Sequence, residues 1–252
     1  MSTTDSQVRR RIPLEGAANF RDLGGYPTAD GRRLRWGKVF RSDVLSALTM
    51  SDQETIRSLG VRLVCDLRHG GERKRAPNAL PEDAGIERFE PGFIPRGVAD
   101  MLALIRAGAL HGEGIVAHVT EHYWNMPREH ADCFGAALRR VAEAQPAVIH
   151  CTSGKDRTGI TVALLLHALG VPKETIFEDY LLTNDYRRDV TGLLKLSATE
   201  EDMHILTSAR PEYLETAWRS MIELAGSVED YLRDALGVDD MVRTRLRATL
   251  VE

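Results

Sequence analysis

A short apolar run followed by a polar loop and a long apolar stretch places the strongest constraint on the fold of this chain. The run Ala147–His150 contains adjacent valine and isoleucine, which is typical of a strand buried on both faces of a parallel sheet. Residues 159–170 are too apolar and too many for a strand, so they predict a buried helix that ends at Gly170. The polar residues between them are therefore expected to form a loop at the carboxyl end of a strand.

A second strand and an intervening helix indicate an α/β fold. Residues 61–67 are apolar and contain β-branched side chains, so they predict another buried strand. Phe134, Leu138 and Val141 recur at helical spacing, and Pro146 ends that helix before the next strand begins. This alternation of strand, helix and strand predicts a central, mostly parallel sheet flanked by helices.

Turn and capping residues predict further local structure. The pair Asp30 and Gly31 favours the tight turn of an N-terminal hairpin. Ser51 and Glu54 have the spacing of a capping box for a helix that Gly60 ends. The last third of the chain is predicted to be helical, because it carries an apolar stripe at helical spacing: Leu214, Ala217, Trp218, Met221, Ile222 and Ala225.

Size and charge limit the number of domains and the kinds of partner. With 252 residues the chain suits one large domain, which we place at residues 13–252 after a disordered polar tail at residues 1–12. The 33 basic side chains are outnumbered by 37 acidic ones, which argues against a nucleic-acid partner. The most apolar run contains His167 and is too short to span a bilayer, so no stable membrane insertion is expected. The N-terminus lacks the pattern of a secretory signal, which favours a cytoplasmic location and leaves export without such a signal open.

The cysteines and histidines do not have the spacing of a metal site. Cys65, Cys133 and Cys151 are widely separated and odd in number, which fits neither a disulfide framework nor a zinc cluster. The histidines show no H-E-x-x-H or H-x-x-E-H pattern. No metal or other cofactor is therefore expected, and one cysteine is a candidate nucleophile.

The loop HCTSGKDRTG carries the candidate chemistry. Cys151 and Arg157 have a C-x5-R spacing, which allows the five residues between them to wrap tightly at the N-terminus of the predicted helix. Backbone N–H groups and the helix dipole at such a position bind an anion. The guanidinium of Arg157 can bind two phosphate oxygens at once. We predict a phosphate-binding loop that contains Thr152, Ser153, Gly154, Lys155, Asp156, Arg157 and Thr158.

Cys151 is predicted to be the nucleophile of this loop. Positive surroundings favour its thiolate, which can attack phosphorus and form a cysteinyl-phosphate. Thr158 can donate a hydrogen bond to the departing thiolate, and His150 points to the opposite face of the strand, where it has a supporting role. The alternative is a buried core cysteine. The polar segment directly after Cys151 argues against it, because a core strand does not continue into such a segment.

These residues resemble the signature loop of the cysteine-dependent protein tyrosine phosphatase superfamily. The form HC-x-x-GKDRTG is similar to that of the atypical bacterial tyrosine phosphatases, and so are NFRDLGGY (19–26), VFRSDVLSALT (39–49), DLR (66–68) and DYLLTN (179–184). The resemblance implies a parallel sheet flanked by helices, catalysis without a metal, and a phosphorylated protein or a phosphoinositide as substrate. The phosphorylated residue is then phosphotyrosine, phosphoserine or phosphothreonine.

The general acid is not identified by the resemblance. Many tyrosine phosphatases use an aspartate on a WPD loop, and this sequence has no such tripeptide; residues 124–127 (WNMP) lack the acid. Asp156 is the preferred candidate, because a loop residue can reach the ester without a conformational closure. Asp66 ends the other buried strand and is the second candidate, although it can also serve as a structural partner of Arg68.

Further roles in and around the loop stay open. A lysine inside a phosphate cradle adds charge where the anion lies, so Lys155 is expected to bind phosphate or an acidic head group rather than to be merely solvated. Residues 93–114 form either a helical lid over the site or a surface helix with an inward apolar face. A sulfurtransferase and a non-catalytic phospho-binding module are the alternative functions, although the former does not need the Arg157-Thr158-Gly159 helix entry and the latter would usually have lost Cys151 or Arg157.

Overall fold

A five-stranded sheet forms the centre of the computed structural model, which describes residues 10–187 and 198–252. Its strands are β1 (Arg21–Asp22), β2 (Val39–Ser42), β3 (Leu63–Asp66), β4 (Glu87–Phe89) and β5 (Ala147–His150). They lie in the order β1-β2-β5-β3-β4. The pairs β2–β5, β5–β3 and β3–β4 are parallel, and β1 is antiparallel to β2. The predicted mostly parallel sheet is confirmed.

Helices occupy most of the remaining described residues. They are α1 (Met50–Ser58), α2 (Gly70–Arg75), α3 (Val98–Arg106), α4 (Gly112–Glu129), α5 (Ala131–Glu143), α6 (Asp156–Ala168), α7 (Lys173–Leu181), α8 (Thr183–Tyr186), α9 (Glu200–Thr207), α10 (Pro211–Ala225), α11 (Val228–Asp230) and α12 (Asp240–Leu250). A 3-10 turn covers Glu82–Ala84, and a π-helical turn, Tyr231–Ala235, continues α11. The described part of the last third is helical, as its apolar stripe predicts.

The sheet separates two apolar clusters, one on each face. In β5, Ala147 and Ile149 belong to the larger cluster, together with Phe134 of α5, whereas Val148 belongs to the smaller one, together with Ile56 of α1. Successive side chains of a strand point to opposite faces, so β5 is buried on both sides. This burial fixes the end of β5, and with it the position of the residue that follows, Cys151.

The helix at residues 51–59 begins with a different capping box from the predicted one. Thr49 is the N-cap of α1 and its hydroxyl accepts from the backbone N–H of Asp52, while the Asp52 carboxylate accepts from the backbone N–H of Thr49. Asp52 also accepts from the backbone N–H groups of Glu15 and Gly16. The prediction of Ser51 as the cap was wrong, because these contacts with the preceding segment select the earlier of two pairs with the same spacing.

The first described residues contact the folded part of the chain. Arg10 is buried, donates to the carbonyls of Asp22 and Gly24, and lies 3.6 Å from the centre of the Tyr26 ring. Arg11 forms an isolated antiparallel bridge with Arg21. Two carbonyl acceptors and a cation–π contact therefore hold Arg10 against the fold. Residues 1–9 lie outside the described part.

The segment at residues 93–114 packs its apolar side inward. Met101 and Ile105 of α3 are buried in the larger cluster, and Leu104 on the same helix is exposed. The ring of Phe93 stacks on His130 at 3.9 Å between centroids. Across residues 10–187 and 198–252, the helices are each too short or too polar to cross a bilayer.

Candidate active site

Cys151 directly follows β5 and is almost fully buried. Residues 151–157, called the signature loop from here on, connect this strand to the first turn of α6. Asp66 at the end of the neighbouring strand β3 is in register with His150. The carboxyl ends of parallel strands meet at one edge of the sheet, and this edge carries the candidate nucleophile.

The carbonyl groups of the signature loop are bound from the side of the N-terminal segment. The backbone N–H of Val44 donates to the Thr152 carbonyl at 3.1 Å. The Asn19 amide donates to the carbonyls of Ser153 and Gly154 at 3.5 and 3.4 Å, and Nη2 of Arg41 donates to the Gly154 carbonyl at 2.7 Å. In a trans peptide the N–H points away from the C=O, so the N–H groups of the next residues face the other side of the loop. That side is where an oxyanion would lie.

Gly154 has a backbone conformation that the loop requires. Its φ is +69°, and an added Cβ would lie 2.6 Å from the Ser42 carbonyl oxygen and 2.7 Å from the Asn19 amide nitrogen. A side chain at this position would therefore both strain the backbone and push the loop off the residues that hold it.

Arg157 is held in place by a bidentate ion pair with Glu72 of α2. Its Nη1 lies 2.7 Å from Glu72 Oε2, and its Nη2 lies 2.8 Å from Glu72 Oε1. Nη1 also donates to the carbonyls of Leu67 and Phe93, at 3.2 and 3.1 Å. The Thr152 hydroxyl donates to Glu72 Oε1 at 2.5 Å, so the same carboxylate binds both ends of the loop.

The charges of this pair stabilise each other. Burial raises the pKa of Glu72, but the hydrogen bonds and charge of Arg157 outweigh burial and lower it to about 2. Burial lowers the pKa of Arg157, whereas its hydrogen bonds to Glu72 and its electrostatic interactions with Cys151 and Glu72 raise it above its usual value. Arg157 therefore stays charged beside the sulfur.

Glu72 was missed by the sequence reasoning, although two signals point to it. His69 and Glu72 form a capping box at the start of α2, and this spacing is visible in the sequence. The helix follows β3, whose carboxyl end lies beside that of β5. An acidic residue in the first turn after a neighbouring strand is therefore a candidate partner for the loop arginine.

Asp66 is enclosed by hydrogen-bond donors at the sheet edge. Its carboxylate pairs with Arg68, with Nη2 to Oδ2 at 2.7 Å, accepts from the Asn78 amide at 2.9 Å, and lies 3.4 Å from His150 Nε2. Burial raises the pKa of Asp66, but His150 and Arg68 together lower it far below its usual range. The His150 ring contacts Asp66 and Asn78 through Nε2, and its Nδ1 lies 3.2 Å from the Cys151 carbonyl oxygen.

Asp156 and Lys155 occupy the other end of the loop. The Asp156 side chain is 32% exposed, and its charge helps to raise the pKa of Tyr123 on α4, after the larger effect of burial. Lys155 Nζ lies 3.3 Å from Asp156 Oδ1 and donates to the carbonyl of Leu206 on α9 at 2.7 Å. The Lys155 ammonium is therefore directed toward α9 in this structure.

Thr158 has a buried hydroxyl with no hydrogen-bond partner among the described residues. Its side chain lies in the first turn of α6 and is fully buried. No hydrogen-bond partner for Oγ1 is found in the part of the chain that the structure describes. Since buried hydroxyl groups normally form a hydrogen bond, the Thr158 hydroxyl can donate to a ligand or to the sulfur of an intermediate.

Comparison with known proteins assigns the family. A family model described as tyrosine phosphatase family matches residues 12–252. A protein of Cupriavidus necator named as a tyrosine-protein phosphatase is 33% identical over 242 residues, covering 92% of this chain and 86% of that protein. The triple specificity protein phosphatase PtpB of Mycobacterium tuberculosis is 32% identical over 279 residues, covering 94% of this chain and 98% of that protein. Among solved structures, P. aeruginosa TpbA shares 16% identity over 86% of this chain and 89% of its own, with a TM-score of 0.31.

The chain belongs to the tyrosine phosphatase family. The resemblance of its sequence motifs is thereby confirmed, and so is the class of reaction, hydrolysis of phosphate monoesters by a cysteine-dependent phosphatase. Family membership favours this reaction over the sulfurtransferase alternative.

Proposed function

We propose that Cys151 is the nucleophile of this phosphatase and that the signature loop binds the phosphoryl group. The observation that carries the proposal is the pairing of a buried cysteine with a loop whose carbonyls are bound from behind. The N–H groups and Arg157 then converge on the side of the loop where three phosphoryl oxygens would lie. Because Glu72 fixes Arg157, this arrangement exists before substrate binds.

In the first step the Cys151 thiolate attacks phosphorus. The S–P bond forms as the P–O bond to the leaving group breaks, and the leaving oxygen takes a proton from an acid. In the second step water attacks phosphorus and gives a proton back to the same carboxylate, the S–P bond breaks with its electron pair going to sulfur, and inorganic phosphate leaves. The Thr158 hydroxyl would donate to the departing sulfur in this step, since it has no other partner among the described residues.

Asp156 is the acid that we assign to the first step. Its carboxyl is partly exposed at the end of the loop, where a leaving group would lie. Asp66 is already bound by Arg68, Asn78 and His150, and its lowered pKa disfavours proton donation. These contacts support Asp66 as a positioning residue for His150 and the end of β5.

Phosphoproteins are the proposed substrates, and phosphoinositides are retained as a second group. The relative PtpB is named as a triple specificity protein phosphatase, which supports more than one kind of phosphoester. Lys155 is proposed to add positive charge near the bound phosphate, although its ammonium donates to Leu206 in this structure. Whether residues 93–114 act as a lid stays a prediction; their Phe93 carbonyl contacts Arg157 directly.

The test is a substrate panel with the purified protein. Phosphate release is measured from a phosphotyrosine peptide, a phosphoserine peptide and phosphoinositides, with Cys151→Ser as the control. We expect turnover by the wild type and none by the variant, because a serine hydroxyl stays protonated and is a far weaker nucleophile. Substrate binding without release in the wild type would favour the phospho-binding alternative, and sulfur transfer from thiosulfate to cyanide would favour the sulfurtransferase.

A cytoplasmic location belongs to the same proposal. Cys65, Cys133 and Cys151 are all free thiols in the structure, and a catalytic thiolate persists best in a reducing compartment. Immunoblotting of cell fractions and culture medium would test the location, and recovery of the protein mainly from the medium would contradict it.

A further inference from the structure

The signature loop is contacted by a buried cluster of charged side chains to which the steps above assign no role beyond the Arg41 contact with the Gly154 carbonyl. Arg21 of β1 and Arg41 of β2 are fully buried, and both contact the buried carboxylate of Asp179 on α7. Arg41 Nη1 lies 2.6 Å from Asp179 Oδ2, and Arg21 Nε lies 3.3 Å from Oδ1. The Tyr26 hydroxyl donates to Oδ1 at 2.9 Å.

The two arginines differ in their contact with the loop. Arg41 Nη2 donates to the Gly154 carbonyl at 2.7 Å. The guanidinium of Arg21 donates to the Asp179 carbonyl and to the backbone and side-chain oxygens of Asn19, and within the described part of the chain it has no hydrogen bond to residues 151–157. Arg41 therefore joins the buried carboxylate to the phosphate-binding loop directly, at 2.7 Å from the Gly154 carbonyl. Arg21 reaches the loop through Asn19, whose longer contacts with the loop carbonyls are 3.4 and 3.5 Å.

The Gly154 carbonyl and the Lys155 N–H belong to one peptide unit. A cation at the carbonyl oxygen orients that unit and polarises its N–H, which donates to the Ser153 hydroxyl oxygen at 3.3 Å in this structure and would donate more strongly to a bound anion. The carbonyl contact also helps to hold Gly154 at its positive φ. The guanidinium thus acts on the oxyanion through the peptide bond without touching it.

We propose that Arg41, oriented by Asp179, is a positioning residue that presets the Gly154–Lys155 peptide for oxyanion binding. The proposal rests on the proposed function of the loop. Asp179 acts on the loop through Arg41. Its carboxylate binds Nη1 of Arg41 and thereby orients the guanidinium so that Nη2 binds the Gly154 carbonyl.

The experiment compares Arg41→Met with Arg21→Met. Both changes remove a fully buried guanidinium that contacts Asp179, so both are expected to lower the melting temperature. At a temperature where both variants are folded, calorimetric binding of inorganic phosphate and inhibition by orthovanadate are measured. We expect Arg41→Met to weaken both by about tenfold or more, with a parallel fall in kcat, and Arg21→Met to change them much less.

Two outcomes would overturn the proposal. One is a folded Arg41→Met protein with wild-type phosphate affinity. The other is an equal loss of phosphate affinity in both variants, which would mean that the cluster only stabilises the fold. Tyr26→Phe is a further control, because it removes a hydrogen bond to the same carboxylate and leaves the loop contact in place.

Lysine variants keep the comparison decisive if the methionine variants do not fold. In Arg41→Lys a single ammonium cannot span Asp179 and the Gly154 carbonyl as the guanidinium does, so weaker phosphate binding is expected than in Arg21→Lys. Equal phosphate binding by these two variants would overturn the proposal. Phosphate binding is measured without turnover, so its result is separate from a failure of the wild type to hydrolyse phosphoesters.

Discussion

The polar groups that bind the signature loop from behind are buried, whereas the residues at its open side, the Asp156 end called the mouth from here on, are partly exposed. On the rear side Asn19, Arg41 and Val44 bind the loop carbonyls, and all three belong to segments packed beneath the loop. At the mouth the Asp156 carboxylate is 32% exposed, and Ile94, which follows the Phe93 whose carbonyl binds Arg157, is 52% exposed. In the proposed function the rear side holds the loop for the phosphoryl group that all substrates share, and the mouth meets the leaving group that differs between them.

This comparison gives each side a distinct kinetic signature. A change on the rear side, or in the Glu72–Arg157 pair, should reduce activity toward every substrate by a similar factor. A change at the mouth should discriminate between substrates, because only there does the protein contact the variable part of the ester.

The largest substrate-dependent effect is expected for Asp156→Asn. Hydrolysis of phosphoserine or an inositol phosphate should fall by about 10² to 10⁴, the usual range for loss of a general acid. An aryl ester with an acidic leaving group needs less protonation and should be affected far less. Steady-state kinetics with both substrates measure the difference, and Asp66→Asn is the matched control. If Asp66→Asn shows the leaving-group dependence and Asp156→Asn does not, the two roles are reversed.

Arg157→Lys should reduce activity by about 10² to 10³ with alkyl and aryl substrates alike. A lysine keeps the charge but cannot bind Glu72 and the phosphoryl oxygens with a planar fork. The measurement is kcat/KM for both substrate classes. Near-normal values, or a loss confined to alkyl esters, would contradict the assignment of Arg157 to phosphoryl binding.

Glu72→Gln should lower kcat/KM by up to about 10², because Arg157 loses its bidentate anchor and a small misplacement of a binding group is costly. The pKa of Glu72 is lowered from 4.5 to about 2, so the pair contributes stability that is present above pH 4.5 and is lost as the pH falls toward 2. The stability difference between the wild type and Glu72→Gln, measured by urea unfolding, should therefore narrow below pH 4.5. A difference that stays constant down to pH 3 would argue that the carboxylate is not stabilised by Arg157.

The smallest effect is expected for Thr158→Ala. Loss of one neutral hydrogen bond to the departing sulfur should slow the second step by about tenfold. With an aryl substrate this slowing should appear as a burst of phenol release before the steady state, measured by stopped flow. An unchanged second step would show that the buried Thr158 hydroxyl has another role.

The sequence predicts the chemistry of the loop more completely than the contacts that hold it. The bounds of β5 match the predicted strand, because an apolar run between a proline and a polar loop leaves little choice. The capping box of α1 could not be chosen from spacing alone, since Thr49 with Asp52 and Ser51 with Glu54 fit the same pattern. The contacts of the Asp52 carboxylate with the backbone N–H groups of Glu15 and Gly16 select the box that begins at Thr49.

The ion pair between Arg41 and Asp179 also could not be predicted from local sequence patterns, because its two residues are far apart in the chain. Arg41 and Asp179 lie in motifs that the sequence resemblance identified, but 138 residues separate them along the chain. Neither residue type is usually buried, so burial of such a pair follows only when β2 and α7 meet beneath the loop. Local patterns place nucleophiles and helix ends, whereas the partners of buried charges depend on how the elements pack.

The most direct test of the account is detection of the covalent intermediate. The wild type is mixed with an aryl phosphate, quenched in acid within the first turnovers, and digested for peptide mass spectrometry. We predict one phosphoryl group on the peptide that contains Cys151, located on the cysteine sulfur and absent from Cys151→Ser. Turnover with no such adduct in the wild type, or with the phosphoryl group on another residue, would contradict nucleophilic catalysis by Cys151.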